Sequence, residues 1–115
     1  MRRGNQSHWR NLKTSTSNKV NYSIRFTPEA EETYEAIVSQ LRQRWGSGFV
    51  KKFEIRLTKS LQTITTTPYL YPIINEVTQV RRCLLHKNCS LFYKIIEDKI
   101  FVISFWDNRQ DQLFN

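Results

Sequence analysis

The chain has few residues that turn or staple a backbone: three glycines, three prolines and two cysteines among 115 residues. So few turn-makers exclude a collagen-like or loop-rich scaffold. Two cysteines exclude a disulfide framework and point to a reducing, cytoplasmic setting. No apolar run approaches the ~18 residues that a membrane-spanning helix needs, and the N-terminus lacks the apolar stretch of an export signal. A glycine-rich phosphate loop and a Ser/His/Asp pattern are missing too. Cys83, His86 and Cys89 have ligand-like spacing. A structural zinc site takes four ligands, however, and no fourth lies nearby. No metal and no cofactor are therefore expected.

Acid is also scarce, and unevenly so. Formal net charge is +8, and residues 1–20 hold Arg2, Arg3, Arg10, Lys13 and Lys19 with no acid at all. Four glutamates crowd into Glu29–Glu35, after which Ala36–Lys94 carries ten basic residues against Glu54 and Glu76. The folded body should present one acidic patch and a wide basic surface, which attracts phosphates or acidic proteins. The length fits one domain. Residues 1–20 show no apolar period and read as a basic, disordered N-terminal extension, leaving 21–115 as the domain.

The pattern of apolar residues predicts the elements. Tyr22, Ile24 and Phe26 alternate with Asn21, Ser23 and Arg25, as in a half-buried strand. Thr27-Pro28-Glu29 then opens a helix: threonine caps free amides, proline suits the first helical position and glutamates favour the positive end. Ala30, Tyr34, Ile37, Val38, Leu41 and Trp45 form one apolar stripe at helical spacing. Gly46-Ser47-Gly48 breaks that helix, and Phe49, Val50, Phe53, Leu57, Leu61 and Ile64 make a second stripe, giving a helical hairpin. Beyond Pro72 the period becomes two, predicting strands at 77–85, 90–96 and 100–106 joined by short polar turns. The expected fold is α+β, ordered β-α-α-β-β-β, with the helical hairpin packed on an antiparallel sheet.

That order, with Phe26-Thr27-Pro28-Glu29-Ala30, Val80-Arg81-Arg82, Leu91-Phe92-Tyr93-Lys94-Ile95 and the ending Ile103-Ser104-Phe105-Trp106-Asp107-Asn108-Arg109-Gln110-Asp111, resembles the RelE/ParE toxin superfamily over about residues 20–112. The resemblance implies a toxin of a bacterial type II toxin–antitoxin pair, neutralised by an antitoxin that wraps it. The implied target is DNA gyrase in one branch and ribosome-bound mRNA, which is cut, in another.

Metal-free RNA cleavage needs a base, an acid and cations around the scissile phosphate. Of the basic set that the RelE-like branch implies, Arg81 matches the first position. The next falls on Cys83 and the third on Ser90; the tail arginine falls on Asn108, or on Arg109 with a one-residue slip, and the tail tyrosine falls near Phe114. Most of that set is absent, which favours a ParE-like binder of gyrase. A ribosome-dependent mRNA interferase would have to use Arg81, His86 and Arg109. A basic nucleic-acid-binding module without toxicity is the third reading. Strand period puts Arg81 and Arg82 on opposite faces, so one of them should reach the open face. Tyr93 should pack toward the helices with its hydroxyl at the core edge. Arg81, Arg82, Tyr93, Trp106, Asp107 and Arg109 are the candidates for contact with antitoxin or target.

Overall fold

The computed structural model describes residues 22–87 and 89–107. The expected extension at 1–20 and the tail residues Asn108, Arg109 and Phe114 lie outside the described residues. Seven elements follow in order: β1 (Ser23–Phe26), α1 (Pro28–Trp45), α2 (Ser47–Thr66), β2 (Ile73–Asn75), β3 (Val80–His86), β4 (Cys89–Ile96) and β5 (Lys99–Asp107). They form two helices on a five-stranded sheet of order β1-β5-β4-β3-β2. No helix among the described residues is long and apolar enough to cross a membrane.

The helix signals act as read. The Thr27 hydroxyl accepts from the Ala30 amide at 3.0 Å, Pro28 occupies the first turn beside Glu29 and Glu31, and Arg42 and Arg44 sit in the last turn. Both charge sets oppose the helix dipole at their ends. Gly46 alone joins the helices, at φ +90°, where a side chain would be strained. The link is thus shorter than the three residues expected, because Ser47 and Gly48 already belong to α2. Tyr34, Ile37 and Val38 of α1 and Val50, Phe53, Leu57, Leu61 and Ile64 of α2 are buried. They pack on Ile24, Leu85, Leu91, Tyr93, Ile100, Val102 and Phe105 of the sheet.

Three features differ from the expectation. Trp45, the last member of the first stripe, is 57% exposed. A short extra strand, β2, pairs with β3 at the sheet edge. And the sheet is mixed: β1 joins β5 in parallel, Ser23 against Lys99 through Phe26 against Val102, whereas the other pairs are antiparallel.

β5 also carries a bulge. Tyr93 pairs with Val102 but Phe92 pairs with Ser104, so Ile103 has no partner on β4. An extra residue breaks the ladder and orphans backbone groups. Thr27, which caps α1, and Thr33 within it take them up. The Thr27 hydroxyl donates to the Ile103 carbonyl at 2.9 Å, and the Phe105 amide donates to the Thr33 hydroxyl at 2.9 Å. The start of α1 is thereby fixed to β5, the strand between β1 and β4.

Candidate protein-docking face

The helices cover one face of the sheet and leave the other open. Strand register sorts the side chains. Arg82, Phe92 and Ser104 stand in one row, Leu84, Ser90 and Trp106 in the next, and Arg25, Phe101 and Lys94 in a third. Leu84 is 57% exposed and Trp106 41%, and Arg82 and Arg25 are exposed too. Ser90 lies buried beneath, where its hydroxyl accepts from Arg82 Nε at 2.9 Å. The face therefore holds apolar and aromatic groups interleaved with three cations. Aromatics and arginine dominate the energetics of protein–protein contacts. Apolar residues on a solvated sheet face are also a recurring mark of a docking surface.

The expected catalytic residues are not brought together. Arg81 does not face the open side. Its guanidinium lies 5.1 Å from the Tyr69 ring and donates to the carbonyls of Tyr69 at 3.3 Å and Tyr71 at 2.6 Å. It clamps the segment between α2 and β2 through Nη1. His86 stands at the other end of β3, roughly 16 Å away for five residues of strand. There it makes an edge contact with Phe49 at 6.1 Å. It ends a strand and is half-buried, where a turn had been expected. Arg109 lies outside the described residues.

Tyr93 packs inward, as its alternation with Leu91 and Ile95 implied, and is not on the surface where a partner would reach it. It is fully buried, and its hydroxyl donates to the Pro68 carbonyl at 2.6 Å. Burial pushes its pKa well up, although Arg81 pulls the other way. Arg82 and Trp106 do reach the open face. Asp107 turns instead toward a groove beside α1 and α2. Leu84, Phe92 and Phe101 share the open face with Arg82 and Trp106 and were not among the expected candidates. The signal that finds them is the same period of two that placed Arg82, continued across the register to β4 and β5.

Cys83 and Cys89 are free and buried. No group of three or more metal-ligating side chains exists among the described residues. Burial pushes the Cys89 thiol up to about 12, with Asp107 and then Cys83 adding to the rise, and burial likewise raises Cys83. Since the thiolate is the reactive form, both thiols should ignore a thiol reagent in the native protein and titrate fully in concentrated guanidinium. A folded pKa above the unfolded value also ties stability to pH. The unfolded chain releases the Cys89 proton first, so this contribution is complete below the ordinary thiol value of 9.0 and is lost as pH climbs toward 12. Denaturant midpoints should fall over that window, and less steeply in Cys89→Ser.

Residues 24–112 match the family model of the ParE toxin of the type II toxin–antitoxin system, parDE. No curated protein matches the chain. Among solved structures, a chain described as the chromosomal ParDE TA system from P. aeruginosa is similar in fold. Its TM-score is 0.64 at 16% sequence identity, and the match covers 75% of this chain and 95% of that one.

Proposed function

The chain belongs to the ParE toxin family of type II toxin–antitoxin systems, and from that membership we propose that it arrests its host by binding DNA gyrase and is neutralised by an antitoxin covering the open sheet face. The observation that supports this reading is the character of that face. Leu84, Phe92, Phe101 and Trp106 offer apolar area, and Arg25, Arg82 and Lys94 surround it with positive charge. Such a surface suits a protein partner with acidic and apolar side chains. Cleaving RNA would instead need an acid, a base and phosphate-holding cations within a few ångströms of one another. Arg81, engaged by two backbone carbonyls, and His86, at the far end of the same strand, do not form that group. The toxin reading therefore rests on binding, with no step of chemistry assigned to the chain.

The test sets two reactions side by side. Purified protein added to gyrase should block supercoiling of relaxed plasmid at modest molar excess, while an in vitro translation reaction proceeds with intact mRNA. Supercoiling left untouched at large excess would sink the gyrase reading. So would codon-phased cuts in the mRNA.

A further inference from the structure

The tip of the helical hairpin lies on the covered side of the sheet, away from the open face. From Ala36 to Phe53 the chain holds Arg42, Arg44, Lys51 and Lys52 and no acid. The glutamates of Glu29–Glu35 sit at the other end of α1, and the helix from Glu35 to Trp45 rises about 15 Å. In the middle of this basic stretch Trp45 is 57% exposed, although it belongs to the apolar stripe of α1. Its ring centroid lies 5.8 Å from that of Phe49, which His86 meets edge-on at 6.1 Å. These rings wall a groove of about 330 Å³, whose polar lining is Gln40, His86, Lys87 and Asp107. An aromatic wall with a few convergent polar groups is the usual make-up of a ligand site.

We propose that this groove takes an unpaired base of single-stranded DNA, stacked on Trp45, with the flanking phosphates held by Arg44, Lys52 and Lys87. Three observations carry it. First, an exposed indole beside a second ring is a π-face on which any base can stack. Second, the cations divide between two sides of the hairpin. Arg42 and Lys51 line the outer groove between the helices, where Glu35 and Glu54 offset them. Arg44 and Lys52 are exposed, four residues after Gln40 and three after Phe49. That spacing makes them surface neighbours of the groove lining, and Lys87 lines the groove itself. Third, Asp107 sets the orientation. A carboxylate inside the groove repels a phosphate but accepts from the amino group of a base, and the Gln40 amide offers both a donor and an acceptor. The base therefore points inward and the backbone stays at the basic rim. An acidic peptide of the kind that suits the open face would meet Asp107 with like charge. The strand is taken as DNA because the proposed target acts on DNA, and that choice rests on the gyrase reading.

Fluorescence anisotropy of a labelled DNA oligonucleotide, titrated with the full chain at low salt and without gyrase, tests the site. Trp45→Ala should weaken binding about 10-fold, and Trp45→Phe should keep most of the affinity. A duplex of the same sequence should bind parent and Trp45→Ala alike, because its bases are already stacked. Arg44→Ala with Lys52→Ala should flatten the slope of log affinity against log salt by about 1.4, at about 0.7 per cation. Lys59→Ala with Lys99→Ala removes equal charge elsewhere and is the control, since the basic residues 1–20 add the same non-specific attraction to every variant. Unchanged affinity in Trp45→Ala would overturn the site and leave the indole to a protein partner. Equal loss in the control pair would overturn it too, as a response to overall charge. Tighter binding of RNA of the same sequence would overturn the assignment to DNA. With no gyrase in the reaction, failure here leaves the supercoiling result standing, and the reverse.

Discussion

Tyr93→Ala is expected to cost about 3–5 kcal/mol, the range for removing a large buried ring. That approaches the whole stability of a domain this size, so little folded protein should remain. Tyr93 is fully buried, meets Tyr71 edge-on at 6.4 Å and bonds the Pro68 carbonyl. The carbonyl belongs to the segment that leaves α2, which Arg81 grips from the other side through Tyr69 and Tyr71. Tyr93 and Arg81 are directly opposed on β4 and β3. One ring thus fills the core and ties the connection that leads into β2. Tyr93→Phe keeps the ring and orphans one buried carbonyl, at about 1–3 kcal/mol. Urea unfolding checks both values. Growth arrest on induction at low temperature supplies the second readout. Tyr93→Phe should still be toxic, because its hydroxyl faces Pro68 and not a target. A variant with full stability and no toxicity would show that the hydroxyl acts outside the fold.

How far the sequence foretold this arrangement depends on the range of the interactions involved. Local signals were legible. Thr27-Pro28 starts α1, the two stripes define the hairpin, and the alternation of Arg81, Arg82, Cys83 and Leu84 separates the covered face from the open one. Signals that depend on distant partners were not. β2 is three residues long and exists because the Arg82 amide and its neighbours meet the chain just after Tyr71. The parallel seat of β1 follows from a crossover through the whole hairpin to β5, which no local period encodes. Thr33 reads as an ordinary helix residue until the bulge at Ile103 leaves the Phe105 amide in need of an acceptor. Arg81 looked like a phosphate ligand for the same reason. Its type and spacing are visible in the sequence, but the two carbonyls that occupy it come from a segment ten and twelve residues away. The open face lies between these cases. Its rows are periodic within each strand, and only the register aligns Phe92 with Arg82, Trp106 with Leu84 and Lys94 with Arg25.

If the open face is the antitoxin's seat as proposed, Arg82→Glu combined with Lys94→Glu should weaken binding of a cognate antitoxin by about 100-fold at low salt, most of it as faster dissociation and slower encounter. Each change reverses a charge on the open face, so an acidic partner that met two cations would meet two carboxylates. Like charges a few ångströms apart repel by about 1 kcal/mol or more even in high dielectric. The loss should shrink as ionic strength shortens the Debye length. Stability should move little. Lys94 pairs across the sheet with Phe101 and reaches solvent. Arg82 is exposed, and its bond to the Ser90 hydroxyl is worth about 1 kcal/mol. Calorimetric titration at two salt concentrations measures the effect. Lys51→Glu with Lys59→Glu, on the exposed side of α2, is the control, because it changes net charge equally. If that pair weakens binding as much as the sheet pair does, the antitoxin responds to the protein's overall field and the open face is not its seat. If the sheet pair alone releases it, cells carrying the variant should stay growth-arrested when the antitoxin is co-expressed, since the toxin would remain folded and no longer be held.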